Sequence, residues 1–165
     1  MPFTPIHMGP GILIKGVLQG SFSLMIFGWS QIIMDIQPLI VMLSGEGHIH
    51  GFSHTYIGAT LIAIFSAITG KHLSQFGLWV LRIEQSIHCN IPWLVVFISA
   101  FIGSYSHVVL DSVMHSDVQP FYPFTLSNSL LAIIPIELLH KLCLYSGLLG
   151  AAVFYFVQRH NKKHE

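Results

Sequence analysis

The sequence predicts an all-α fold, a polytopic bundle of membrane-spanning helices. Three observations lead there. Charged residues make up 8% of the 165-residue chain, against roughly 25% in a soluble domain. Hydrophobic residues make up 53%, and the mean hydropathy is +0.68. The apolar residues also gather into runs near the ~20 that a helix needs to cross a bilayer core. So little charge cannot cover a water-exposed surface, which excludes a soluble enzyme, and so much apolar surface excludes a disordered chain. Seven basic and seven acidic residues cancel, so no net charge favours a nucleic-acid partner. The length fits a single integral-membrane domain over residues 1–165.

The elements read in order as four spans plus a short N-terminal helix. Pro10–Gly20 is apolar around Lys15 and too short to cross. Ser21–Leu43 is long enough to cross, with Asp35 its one formal charge. Thr55–Gly70 is uncharged and short for a crossing. Ile91–Leu110 contains His107 as its one ionisable group, and Leu138–Val157 is apolar beyond His140 and Lys141. Between them lie a glycine-rich loop, Ser44–Ser53, a polar and amphipathic connection, Lys71–Asn90, and a loop, Ser116–Ser129, interrupted by Pro120 and Pro123. The aromatic residues of the PFYPF stretch suit an interfacial anchor. Cys89 and Cys143 form no CxxC and are expected as free thiols. The N-terminus has no basic region before an apolar run, so no cleavable signal peptide is expected.

Basic residues orient the spans. Lys15, Lys71, Arg82, Arg159, Lys162 and Lys163 fall on one side of this topology, while Ser44–Ser53 and Ser116–Ser129 contain neither Lys nor Arg. The positive-inside rule then places the C-terminus and the Lys71–Asn90 connection in the cytoplasm and the other two loops outside. Lys141 is the exception, four residues after Glu137, where an i,i+4 pair lowers its cost.

Against this poverty of charge stand eleven histidines, and those beside acids collect at the outer face. In SYSHVVLDSVMH, His107, Asp111 and His115 follow at intervals of four and lie along one helical stripe. An imidazole and a carboxylate on adjacent turns can share a divalent ion, or can form a structural hydrogen bond. An intramembrane acid favours function, since an unpaired one costs roughly 2.5 kcal/mol or more. In GHIHGFSHT, His48, His50 and His54 sit among glycines that let a turn fold so that imidazoles converge. In IIMDIQP, Asp35 is flanked by apolar residues and followed by Pro38, which breaks the local helix. It reads as a metal ligand or a general base. His7 reaches the same face if the Pro10–Gly20 helix enters from that side, and is idle if the N-terminus is cytoplasmic. His72, His88, His160 and His164 are expected to be solvated, and Glu137 to pair with Lys141 beside His140.

The ordered motifs PIHMGPG, MDIQP, GHIHGFSHT and SHVVLDSVMHSDVQPFYPF resemble those of the bacterial inner-membrane metal-dependent hydrolases, a family with a LexA-binding branch. The likeness covers most of residues 1–125. It implies His7, Asp35, His54, His107 and Asp111 as metal residues, with His48 or His50 as the first loop histidine. Three departures stand out: the second acid of the acidic motif is absent, with Gln37 nearby; His50 replaces the family's arginine; and His48 to His54 is one residue longer than the pattern. The HxxxD helix with an N-terminal ligand is also distantly similar to zinc-dependent phospholipase C.

Two functions follow as expectations. The first is a divalent-metal-dependent hydrolase, with zinc the expected ion, acting at the bilayer edge on a lipid-like, amphiphilic substrate such as a phosphate ester. The second is a non-enzymatic membrane protein that binds a metal or serves as an interaction partner. An open coordination position favours the first, and a closed four-ligand site the second.

Overall fold

The computed structural model describes residues 5–80 and 90–163. Among them there is no strand. Arg82, His88, Cys89 and His164 lie outside the described residues. A single 3-10 turn, Pro5–His7, leads into α1 (Met8–Leu18). Then come α2 (Leu24–Met34), α3 (Ile36–Ser44), α4 (Tyr56–Val80), α5 (Trp93–Met114) and α6 (Ile136–Asn161). Leu24–Ser44, Tyr56–Val80, Trp93–Met114 and Ile136–Asn161 are each long and apolar enough to cross a membrane. The expected fold class, four spans plus a short N-terminal helix, is the observed one.

α2, α4 and α5 pack in a triangle, while α1 lies against α6 and touches α2. The triangle is tight because α4 turns a stripe of small residues inward: Ala59, Ala63 and Ala67, at i,i+4 spacing, are all fully buried. Ile26 of α2 and Val96 and Ala100 of α5 close over Ala63 and Ala67, and Met34 and Val108 over Ala59. Small side chains let helix backbones approach, which is what drives association where lipid is as apolar as the core. Leu61, Phe65 and Ile68 on the far side of α4 are exposed, as expected of a surface that meets acyl chains. α1 and α6 approach closer still. A Cβ on Gly9 would strike the Cys143 carbonyl, and one on Gly150 would strike the backbone of Leu13.

These contacts also set directions. α1 and α6 run parallel, since Gly9 meets Cys143 and Gly147 near their starts while Gln19 meets Gln158 near their ends. Both begin at the end of the bundle where α5 finishes and α4 starts. The 3-10 turn therefore delivers His7 to that end, beside Asp111. Lys15, Arg159, Lys162 and Lys163 lie at the opposite end, towards which α1 and α6 run. Lys141 sits at the His7 end, 2.6 Å from Glu137 as expected of the i,i+4 pair.

Two of the differences from the boundaries read in the sequence have physical consequences. α4 does not stop at Gly70 but continues to Val80. Lys71 and His72 give that stretch the look of a polar connection, yet Lys71 is buried, with its ammonium 4.2 Å from the Trp93 ring centroid. That cation–π contact replaces water around the charge and lets the helix go on. α5, in contrast, ends at Met114. His115 is its cap in extended conformation, so the His107–Asp111–His115 stripe is broken after Asp111.

Candidate metal centre

The site is assembled from five segments at one end of the bundle. Asp35 stands where α2 gives way to α3. Pro38 lacks the N–H that would continue the helical ladder, and the chain turns at Asp35 before α3 resumes, with Leu39 N donating to the Asp35 carbonyl at 3.0 Å. This break sets the Asp35 carboxylate against α5, its Oδ1 3.3 Å from His107 Nε2.

His54 ends a 3-10 turn, Phe52–His54, just before α4. Thr55 caps α4 by accepting from Gly58 N at 2.9 Å, and Tyr56 N donates to the Pro120 carbonyl at 2.9 Å. Gln37 pins the turn from the other side, its Oε1 accepting from Ser53 N at 2.9 Å. The departure from the acidic motif at Gln37 thus acquires a role: a neutral amide that holds the histidine turn. His54 itself is fully buried, with Nδ1 2.9 Å from Ser53 Oγ.

His107 and Asp111 project from consecutive turns of α5, both buried. Their separation is 3.1 Å, Nε2 to Oδ2. The same Oδ2 is 3.0 Å from His54 Nε2, and Oδ1 is 3.7 Å from His7 Nε2. Donor atoms about 2.0–2.2 Å from a tetrahedral ion sit roughly 3.3 Å from one another, so these spacings are compatible with ligand atoms around one cation. The Nε2 atoms of His7, His54 and His107 are all buried, and none makes a well-aligned hydrogen bond, although those of His54 and His107 face Asp111 Oδ2 at 3.0 and 3.1 Å. Buried polar atoms are almost always satisfied. Three such nitrogens around one carboxylate are the strongest local sign that this cluster could hold a cation.

The protonation states suit a ligand role. Gln31 Nε2 donates to the Gly103 carbonyl at 2.9 Å, so its Oε1 is left to accept from His107 Nδ1 at 2.6 Å. In the neutral form of His107 the proton is thus held on Nδ1, and Nε2 keeps its lone pair. Burial, followed by the nearby His107, pulls the His7 pKa down to about 4. Burial also lowers that of His54, against the opposing pull of Asp111. Both are neutral at physiological pH, as a metal ligand must be. Gln31 was not singled out in the sequence; its signal there is a lone amide inside an apolar run, four residues before Asp35.

Among the described residues, four sets of three side chains have ligand atoms within 4.8 Å of one another: His7–His107–Asp111, Asp35–His54–His107, His50–His54–Asp111 and His50–His115–Asp117. The chain thus brings His7, Asp35, His54, His107 and Asp111 together and places His50 at their edge. His48 belongs to none of these sets and is exposed on its loop. The donor set of imidazoles and carboxylates matches the preference of zinc.

A groove of about 380 Å³ opens beside the cluster. His7, Gln31 and Asp35 line one end; Leu24, Met25 and Leu73 line the other. It follows α2 for most of that helix.

Fold and cluster together define a polytopic helical membrane protein with a buried histidine–aspartate centre at one end of its bundle. The chain belongs to the YdjM inner membrane protein family, whose model matches residues 14–163. It is accordingly a multi-pass inner-membrane protein. The matched stretch includes Asp35, His54, His107 and Asp111, while His7 precedes it. No curated protein and no solved structure matches the chain.

Proposed function

We propose that the chain is a membrane-bound, metal-dependent hydrolase. The observation that carries this reading is the convergence of three buried Nε2 atoms, those of His7, His54 and His107, on Asp111. His54, His107 and Asp111 hold a divalent cation, zinc by the chemistry of the donors. When bound, that cation supplies Lewis acidity to an ester oxygen and acidity to water.

The remaining two residues supply the asymmetry that catalysis needs. His7 stands farther from Asp111 than the other histidines, and it lines the groove together with Asp35. The Asp35 side chain is 12% exposed, against 5% for Asp111. The cluster is thus closed on the α4–α5 side and open towards the groove. Asp35 is the base: its carboxylate takes a proton from water at the His7–Asp35 end of the groove. His7 borders the same opening and orients the ester that arrives there.

The substrate is amphiphilic, its scissile ester at the His7–Asp35 end and its apolar part along Leu24, Met25 and Leu73. A phospholipid or a lipid-linked phosphate ester has that shape. By the positive-inside rule the cationic end, with Lys15, Arg159, Lys162 and Lys163, is cytoplasmic and the cluster faces the periplasm. The test is release of phosphate or alcohol from lipid vesicles by the zinc-loaded protein. Hydrolysis that disappears with Asp35→Asn supports the assignment. A protein that holds zinc firmly but cleaves no phosphate or carboxylic ester would instead be a non-enzymatic metal-binding membrane protein.

A further inference from the structure

The histidines and the acid at the mouth of the bundle are not used by this reaction. His50 Nδ1 lies 2.9 Å from both carboxylate oxygens of Asp117. His115, turned out of the α5 stripe where the helix ends, stacks on His50 with ring centroids 4.3 Å apart and planes 24° apart. Ligand atoms of His50, His115 and Asp117 lie within 4.8 Å of one another. His48, from the glycine-rich loop, lines the same cavity of about 330 Å³ as His50 and Asp117.

We infer that these side chains form a second divalent-cation site, with His50, His115 and Asp117 as its ligands and His48 as a donor within reach. This rests on the proposed inner centre only in that the two sites adjoin. A hydrogen-bonded His50–Asp117 pair accounts for one contact. It does not account for a second imidazole stacked face-on against the first, or for a third on the wall of the same cavity. Two imidazoles and a carboxylate are a donor set of the kind that binds zinc with positions left for water. The Ser44–Ser53 and Ser116–Ser129 loops that surround them contain neither Lys nor Arg, so no side-chain cation from those loops competes for Asp117.

The two sites differ in shelter. The Asp117 side chain is 46% exposed, whereas the inner Asp111 is buried. The mouth site therefore exchanges its ion with solution faster, and a chelator reaches it first. His50 also approaches His54 and Asp111 within the same 4.8 Å limit, so an ion at the mouth sits beside the inner centre.

The experiment is elemental analysis of detergent-purified full-length chain after equilibration with zinc and gel filtration. Wild type is expected to retain about two ions per chain, and Asp117→Asn and His115→Gln about one each. A brief exposure to chelator is expected to take wild type to the same single ion. Because Asp117 is half exposed and His115 lies beyond the end of α5, both variants leave the helix packing in place, and an unchanged gel-filtration profile verifies it. Wild type that retains a single ion, removed by Asp111→Asn but not by Asp117→Asn, overturns the mouth site and spares the inner one. Variants that keep both ions also overturn it. Wild type that retains none overturns both.

Discussion

His107 Nδ1 lies 2.6 Å from Gln31 Oε1, and Gln31 in turn is committed through its amide nitrogen to the Gly103 carbonyl. One amide side chain in α2 thereby decides which nitrogen of a buried histidine in α5 carries the proton. The contact depends on close approach of the two helices. Gly103 faces Ser30 Oγ and the Phe27 carbonyl so tightly that a Cβ would collide with them. Groups that orient a ligating histidine typically alter metal affinity 10–100-fold. Gln31→Leu is therefore expected to weaken zinc binding by about that range, with the helical signal unchanged. Chelator-competition titration of the purified variant measures it; wild-type affinity would mean the tautomer is not held by Gln31.

Asp35→Asn separates binding from turnover. The substitution removes a base while His54, His107 and Asp111 stay intact. Zinc content is expected to remain near wild type, and ester hydrolysis to fall by about 10²–10⁴. Loss of zinc in step with activity would instead make Asp35 a ligand.

Gly150→Leu tests how the α1–α6 seam serves the site. Any side chain at Gly150 strikes the backbone of Leu13 and Ile12, so α1 must move and carry His7 with it. Displacement of a positioning group by about 1 Å costs on the order of 10² in rate. The expected result is lower turnover with zinc retained, since His54, His107 and Asp111 are on other elements. Full activity in this variant would show that His7 has no part in the reaction.

Metal-free protein is expected to lose stability as pH falls from about 6.5 towards 4. The His7 pKa is held at about 4 by burial, so across that window the unfolded chain binds a proton at His7 that the folded chain refuses. Stability then rises with pH between those limits and this contribution is complete above the unfolded value. His7→Gln should flatten this part of the profile, measured as thermal unfolding in detergent across pH 4–7. A variant profile parallel to that of wild type would place the pH dependence elsewhere.

The helices were legible because lipid imposes a coarse rule: a span is a long apolar run. The residues of the cluster were legible for the related reason that acids and histidines are costly in such runs, so Asp35, His107 and Asp111 stood out. What escaped depends on contacts across the chain. Lys71 resembled the start of a loop because its partner, Trp93, lies on another helix. The placement of His48 and His50 was not legible because it depends on Asp117, distant in sequence, which approaches His50. His115 seemed to extend the α5 stripe because periodicity does not reveal where a helix stops. Asn128 marks that stop, its Nδ2 donating to the Ser112 carbonyl at 2.8 Å. Gln31 carried no motif, and its role is visible only once α2 and α5 are side by side.

The distribution of Lys and Arg predicts the orientation of the bundle. Reporter fusions at Gly45 and Gln119 should signal from the periplasm, and one at the C-terminus from the cytoplasm. A cytoplasmic signal from Gly45 would put the cluster, and its substrate, on the inner face.

The most direct measurement is zinc content of the detergent-purified chain compared with Asp111→Asn, each equilibrated with zinc and then passed through gel filtration. Asp111 is the carboxylate around which His7, His54 and His107 gather. The swap to Asn keeps its size and removes the charge that compensates a divalent ion in a low-dielectric interior. Wild type should retain tightly held zinc and Asp111→Asn should lose the inner ion at an unchanged elution volume, while His160→Gln, on the exposed last turn of α6, behaves as wild type. Zinc retained equally by Asp111→Asn and wild type, or absent from both, would contradict the account and leave the His–Asp cluster as a structural network.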